Sequence, residues 1–415
     1  MRRAASLESK TTKADWVALA LLVVSVAINY IDRTNLSVAA PGLRTEFGLS
    51  PTQLGLLLSA FFWTYASFQI ASGWLVDHYD VNWVLGAGFL IWSGATAATG
   101  FAGGFGALFS LRLVLGAAES VAYPAYSKII ATRFPEHHRG LTNALIDAGS
   151  KTGPALGTLI GGLVVARFGW RDLFLILGAG ALLWVPLWAA WAPRTKGAGK
   201  AHRHEGPGFG RILRERSAWG TFFGLFSINY AWYFLITWLP TYLVMERHLS
   251  MGMMAVMGSV PLWGLAASAT ISGWVADHSI RRGATPTRVR KSFAAAGLLL
   301  CTLVLPAAIV PSTRMCITLL TAACLSFGLC TSNHWAITQT IAGAAAAGKW
   351  TGLENAFGNL AGVAAPWITG VIVSATGHFF YAFVAVCVVL VLGALSFLFV
   401  VGPVSPKDWS KTAEA

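Results

Sequence analysis

Twelve apolar stretches, each long enough to cross a bilayer, recur at about residues 16–41, 53–76, 83–102, 104–131, 140–166, 171–193, 217–245, 251–276, 292–311, 313–342, 349–374 and 378–402. A spanning helix needs roughly 20 apolar residues, and backbone amides in hydrocarbon must find partners within their own segment, so these stretches must be helices. The expected fold class is an all-α polytopic membrane protein with twelve transmembrane helices. Composition agrees, since only 11% of the 415 residues are charged, against about 25% in soluble domains.

The net charge of +13 invites a nucleic-acid reading, which its distribution argues against. Of the 30 Lys and Arg residues, 21 fall in loops and tails on the side of both termini, while Arg44, Arg167, Arg171, Arg247 and Arg314 fall on the other. The positive-inside rule then places both termini in the cytoplasm, so the basic excess is topological. The five cysteines lie in apolar segments, which indicates neither a disulfide framework nor a zinc site. The polar stretch Met1 to Asp15 does not read as a removable signal peptide.

Shifting the sequence by 200 residues aligns two halves without a gap. Over positions 28–78 there are 15 identities, among them Ile28-Asn29-Tyr30 with Ile228-Asn229-Tyr230, and Ser72-Gly73-Trp74 and Asp77-His78 with Ser272-Gly273-Trp274 and Asp277-His278. The expected organisation is a tail (1–15), a six-helix bundle (16–193), a linker (194–216) rich in Gly, Lys, Arg and His, a second six-helix bundle in parallel orientation (217–402) and a tail (403–415). Such parallel repeats place substrate near the midplane between bundles that rock around it.

Four basic residues, Arg33, Arg112, Lys128 and Lys151, and four acidic ones, Asp32, Glu119, Asp147 and Glu354, fall inside the apolar segments. Charge there is expensive, faces a protein interior or a wet cavity, and marks a substrate or proton path. Arg33 is the first candidate for a substrate's anionic end, because guanidinium offers a planar fork of donors matched to a carboxylate. Asp32 points about 100° away around the helix and can face a different neighbour. Arg112 and Glu119, two turns apart on one face, fit a proton carrier tuned by desolvation and a nearby cation, or a static ion pair of Arg112 with Glu119 or Asp32. Lys151, about 16 Å of helical rise past Gly140, is either a second anchor for a diacid or bulky acid or the partner of Asp147 four residues earlier.

Asn29, Tyr65, Gln69, Tyr230, Tyr233, Trp335, Asn355 and Asn359 supply amide, hydroxyl and ring groups for the same site, although single Trp and Tyr residues are more often interface anchors. His334 could titrate near neutrality or simply pack, and packing is the expectation. Lys128 and Glu354, near the cytoplasmic ends, are expected to snorkel or form a gate. Gly73 and Gly273 are expected to let neighbouring helices approach closely, and Asp77 and Asp277 to cap a helix or pair with a basic loop residue.

Gly73-x-x-x-Asp77 and Gly273-x-x-x-Asp277 resemble the cytoplasmic loop motif of the major facilitator superfamily, Gly-x-x-x-Asp-Arg-x-Gly-Arg-Arg. His78 and His278 replace its first Arg, Asp80-Val81-Asn82 departs from its Gly-Arg pair, and Arg281 and Arg282 partly restore the basic end in the second half. A narrower resemblance, to the anion:cation symporter family, rests on Asn29-Tyr30-Ile31-Asp32-Arg33-Thr34-Asn35-Leu36-Ser37, Ser59-Ala60-Phe61-Phe62-x-x-Tyr65, Gln69, Arg112, Glu119, Phe134-Pro135, Arg139-Gly140, Trp335 and Gly352-x-x-Asn355-x-x-Gly358-Asn359-x-x-Gly362-x-x-x-Pro366. That resemblance implies proton coupling at Asp32 and Glu119, an anion-binding role for Arg33, and a site shared by Tyr65, Asn355 and Asn359.

The expected function is a proton-coupled symporter importing a small organic anion, a sugar acid or other carboxylate, by alternating access. It would lie in a bacterial cytoplasmic (inner) membrane, work as a monomer, and use protons and the lipid bilayer as its other partners, without nucleic acid, cofactor or metal. No Walker A sequence supports ATP coupling, and no motif places a nucleophile, base and orienter together, so an enzyme is not expected. The alternatives are a Na⁺-coupled carrier of the same fold, a drug/proton antiporter, and a transport-inactive ligand sensor.

Overall fold

The computed structural model describes residues 12–134, 136–192 and 207–409. Most of the expected tails, the linker up to residue 206 and Pro135 of the loop motif lie outside them, as do the side chains of Glu136, His137 and Arg139. Twelve long helical spans cross the structure: α1 (Lys13–Phe47), α2 (Pro51–His78), α3 (Val81–Thr99), α4 (Phe105–Arg133), α5 (Glu136–Phe168), α6 (Trp170–Trp191), α7 (Arg216–Met245), α8 (Met251–Arg281), α9 (Pro286–Ile309), α10 (Thr313–Gly343), α11 (Ala345–Thr376) and α12 (Phe380–Val400). Among the described residues there is no strand. Large apolar side chains such as Ile70, Trp83, Phe101, Leu183 and Phe399 are exposed, as expected of surfaces solvated by lipid.

Local chemistry starts and stops these helices where the repeat demands. Ser50 caps α2, its hydroxyl accepting from Gln53 N while Gln53 Oε1 accepts from Ser50 N, and its repeat mate Ser250 caps α8. The repeat also reappears as geometry, with Trp74 and His78 rings 4.5 Å apart and Trp274 and His278 rings 5.3 Å apart. At Gly343 the backbone turns to φ 62°, ψ 174°, which separates α10 from α11 and favours a residue without a β-carbon.

Eleven of the twelve helices are long and apolar enough to cross a membrane by length and composition alone, and α5 is the one that is not. Its polar run Asp147 to Thr152 is tolerable because α5 lies on the seam between halves. Gly149, Gly153 and Gly157 face Val26, Tyr30 and Ile31 of α1, while Gly162 faces Ala255 of α8.

An even number of crossings puts both described ends on one face, here the terminal face. The bundles meet in the opposite half of the molecule. A β-carbon on Gly55 of α2 would come 2.6 Å from Pro366 O and 3.1 Å from Gly370 Cα of α11, so these backbones touch only because both residues are glycine. Ser37 Oγ of α1 donates to Ile236 O of α7 at 2.7 Å, and Phe62 and Tyr233 rings lie 4.3 Å apart. Toward the terminal face the seam loosens, and Asp147 is 66% exposed. The close contacts between bundles thus cluster in the far half, while Asp147 and Asn355 in the terminal half are exposed.

That geometry corrects the expectation for Gly73, since nothing lies within 4 Å of where its β-carbon would stand; at Gly273 the nearest atom, Ser332 Cβ, is at an ordinary 3.5 Å. Both glycines sit at the splayed end, and the close approaches are made elsewhere.

Candidate functional site

The sequence of α1 buries Asn29, Asp32, Arg33 and Asn35 in a single stretch of helix. Arg33 Nε donates to Glu119 Oε2 at 3.3 Å, and both side chains are buried. The guanidinium is walled by three rings, Tyr30 (4.6 Å), Phe61 (4.9 Å) and Tyr65 (4.6 Å). Aromatic faces stabilise a desolvated cation without consuming its hydrogen-bond donors. Arg33 Nη2 and Glu119 Oε1 are left without a hydrogen-bond partner from the protein.

α4 brings its charges to this point because Gly116 packs against the Phe61 backbone of α2, and because the helix is interrupted after Glu119. Arg112 lies over the other side of Phe61 at 5.3 Å and donates from Nη1 to the Asp32 carbonyl at 3.5 Å. Among the described residues it has no carboxylate within ion-pair distance, which corrects the Arg112 pairing considered above. Seven residues on one face are two turns of rise apart, about 10 Å, and Arg33, arriving from α1, takes the Glu119 carboxylate instead. Asp32 does face away from Arg33; its Oδ1 accepts from Asn35 Nδ2 at 3.0 Å and its Oδ2 has no partner. Asn29, buried beside Glu119, makes no well-formed side-chain hydrogen bond.

The second bundle contributes Tyr233, whose hydroxyl donates to Asn359 Oδ1 at 3.0 Å, while Asn359 Nδ2 donates to Asn355 O. Asn355 is exposed toward the opening, Gln69 and Trp335 are half-buried, and Tyr230 is buried with its ring 6.1 Å from Phe226. Lys151 is 24% exposed and lies 3.7 Å from Asp147, on the open side of the seam. Asp77 pairs with Lys128 of α4 at 3.8 Å and Asp277 with Arg290 of α9 at 2.5 Å, both at the terminal-face ends of their helices. Lys128, which also donates to Val76 O, is thus engaged rather than snorkelling.

Glu354 also departs from expectation. It neither snorkels nor reaches the surface: it is 0% exposed, accepts from Thr338 Oγ1 at 2.9 Å, and faces His334 Nε2 at 3.3 Å. Phe61, between the two arginines, is the site residue that inspection of charges missed. Its only signal was the Ser59-Ala60-Phe61-Phe62 run.

Twelve long helices around a buried, partly unsatisfied charge cluster are the architecture of a membrane carrier. The Major Facilitator Superfamily model matches residues 22–364, and the chain belongs to that superfamily. It is a transporter and not an enzyme. The probable galactarate/D-glucarate transporter GudP of Bacillus subtilis (strain 168) is 28% identical, covering 95% of this chain and 93% of that one. The D-galactonate transporter of Escherichia coli O6:H1 is also 28% identical, over 95% and 97%. Among solved structures, a bacterial homologue of the human lysosomal transporter Spinster, inward-facing and occupied, superposes with a TM-score of 0.79 at 18% identity, covering 92% of this chain and 96% of that one. That similarity speaks to the fold alone.

Proposed function

We propose that the protein is a proton-coupled importer of a small organic anion of the sugar-acid class, seated in a bacterial inner membrane with both termini cytoplasmic. The observation that carries the reading is Arg33, a buried guanidinium with one edge on Glu119 and one donor, Nη2, unclaimed. A substrate carboxylate entering the seam competes with Glu119 for that cation. Once displaced, Glu119 is a buried carboxylate that has lost its paired cation, and taking a proton is the inexpensive way for it to stay buried. Substrate and proton thereby enter together. Relatives named for galactarate, D-glucarate and D-galactonate support the substrate class. Tyr65, Tyr233, Asn355 and Asn359 offer hydroxyl and amide partners for a polyol chain, and rocking of the bundles exchanges the open face.

Lys151 sets the choice between diacids and monoacids in this reading, because its ammonium is partly exposed on the opening and holds Asp147 only at 3.7 Å. The test is uptake of D-galactonate and D-glucarate into proteoliposomes under separately imposed proton and Na⁺ gradients. Accumulation driven by the proton gradient alone supports the reading. Accumulation that follows Na⁺ at clamped pH replaces it with the Na⁺-coupled alternative, and binding without uptake replaces it with a sensor.

A further inference from the structure

Among the described residues His334 and Glu354 form a second buried acid–base pair, and nothing in the coupling scheme above uses it. It joins α10 to α11 on the far side of their Gly343 joint, and each member neighbours a candidate substrate residue, Trp335 and Asn355. His334 Nε2 and Glu354 Oε1 approach to 3.3 Å, with the side chains 1% and 0% exposed. Neither ring nitrogen makes a hydrogen bond, and Glu354 Oε2 is likewise unpartnered. The rings of Trp335 and Phe397 stand 5.0 and 5.7 Å from the imidazole, so the surroundings are apolar.

With its one N–H on Nδ1, a neutral imidazole would set a bare Nε2 against an ionised oxygen, and with it on Nε2 the pair would still bury a net negative charge in apolar surroundings. A proton on Glu354 lets the carboxyl donate to His334 Nε2 and leaves the pair with no net charge. Without it, an ionised Glu354 would keep a full negative charge among apolar rings with only neutral donors about it, the Thr338 hydroxyl among them. Among the described residues no Lys or Arg lies within ion-pair distance of Glu354, and several nearby cations are engaged elsewhere. Arg290 of α9 holds Asp277 of α8 and Asn333, and Arg216 of α7 reaches Phe399 O. Lys291 of α9 binds the carbonyls of Leu398 and Val401, Lys349 of α11 reaches Pro207 O, and Lys407 holds Glu215.

We infer that His334 and Glu354 form a second proton-binding site, separate from the Arg33–Glu119 seam, whose single bound proton ties α10 to α11 behind Trp335 and Asn355. The site does not depend on the transport cycle being proton-driven, because it holds its proton with no substrate present. Its ligand is the proton itself, and its loss at alkaline pH loosens the helix that carries Gly362 and Gly370 against the first bundle.

The purified full-length protein in detergent tests this without any substrate. The thermal midpoint is followed from neutral to alkaline pH for wild type, Glu354→Gln and Glu119→Gln, with infrared spectra of the protonated-carboxyl C=O stretch. Glutamine copies the protonated glutamate and cannot ionise, so Glu354→Gln should keep its neutral-pH midpoint and largely lose the alkaline decline, which Glu119→Gln should retain. A buried-carboxyl band absent from Glu354→Gln and shifted by His334→Gln is expected. An alkaline decline in Glu354→Gln equal to that of wild type overturns the inference. Should Glu354→Gln fail to accumulate, the band decides: one that His334→Gln shifts supports the site, and one it leaves unmoved overturns it. Because neither readout involves uptake, failure here is distinct from failure of the coupling mechanism.

Discussion

The two halves begin from one repeat and end in different chemistries. At the register of Asp32 and Arg33 the second half carries Trp232 and Tyr233, neither of them charged. Arg33 and Tyr233 nonetheless converge on the same seam, since Phe62 of α2 stacks 4.3 Å from Tyr233 while Arg33 lies among Tyr30, Phe61 and Tyr65. The first bundle therefore supplies charge, and the second supplies rings, hydroxyls and amides. On the proposed function, divergence after duplication lets one wall manage charge and protons while the other reads shape and hydroxyl groups.

Changes at Arg33 should break that division most severely. Arg33→Ala removes the anchor and strands Glu119 in a dry site, where losing one partner of a buried pair costs about 3–5 kcal/mol. Uptake of a sugar acid should fall by roughly 100-fold or more at matched membrane level. Near-normal uptake at low substrate would show that the charged wall does not bind the anion.

Glu119→Gln should come next. It should remove proton-driven accumulation while sparing exchange of internal for external substrate, since glutamine mimics the protonated carrier and lets Arg33 keep its free donors. Equal loss of both activities would reduce Glu119 to a structural partner of Arg33. On the other wall, Tyr233→Phe deletes one hydroxyl bonded to Asn359, a contact worth about 1 kcal/mol. A several-fold rise in KM for hydroxylated acids, with proton coupling intact, is expected from substrate titrations, and lost coupling instead would erase the distinction between the walls.

The smallest effect is expected at Lys151, whose partial exposure and long contact with Asp147 limit its worth to roughly 1 kcal/mol or less. Lys151→Gln should lower the D-glucarate to D-galactonate uptake ratio a few-fold. An unchanged ratio would leave Lys151 as no more than the neighbour of Asp147.

Much of this architecture was written into single residues and their spacing. The spans are legible because hydrocarbon forces each segment to satisfy its own backbone, and the pairing of the halves is legible because identical residues recur at a fixed offset. Even α5, the least apolar span, betrays its place on the seam through Asp147 and Lys151, which lipid would not tolerate. Less legible was the fate of each charge. Glu354 reads as a near-surface residue by its position in the segment, yet α10 folds back along α11 and covers it with His334 and Thr338.

What the chain by itself determined was its class: membrane-spanning helices, two related bundles, and a set of charges too costly to face lipid. Which charges meet was decided only by tertiary structure. Arg33 reaches Glu119 because Gly116 lets α4 lie against the α2 backbone, and Arg112 is turned instead onto Phe61 and the Asp32 carbonyl. Helical periodicity fixes the face on which a side chain stands, while the closeness of the neighbouring helix, set here by glycines far away in sequence, selects its partner.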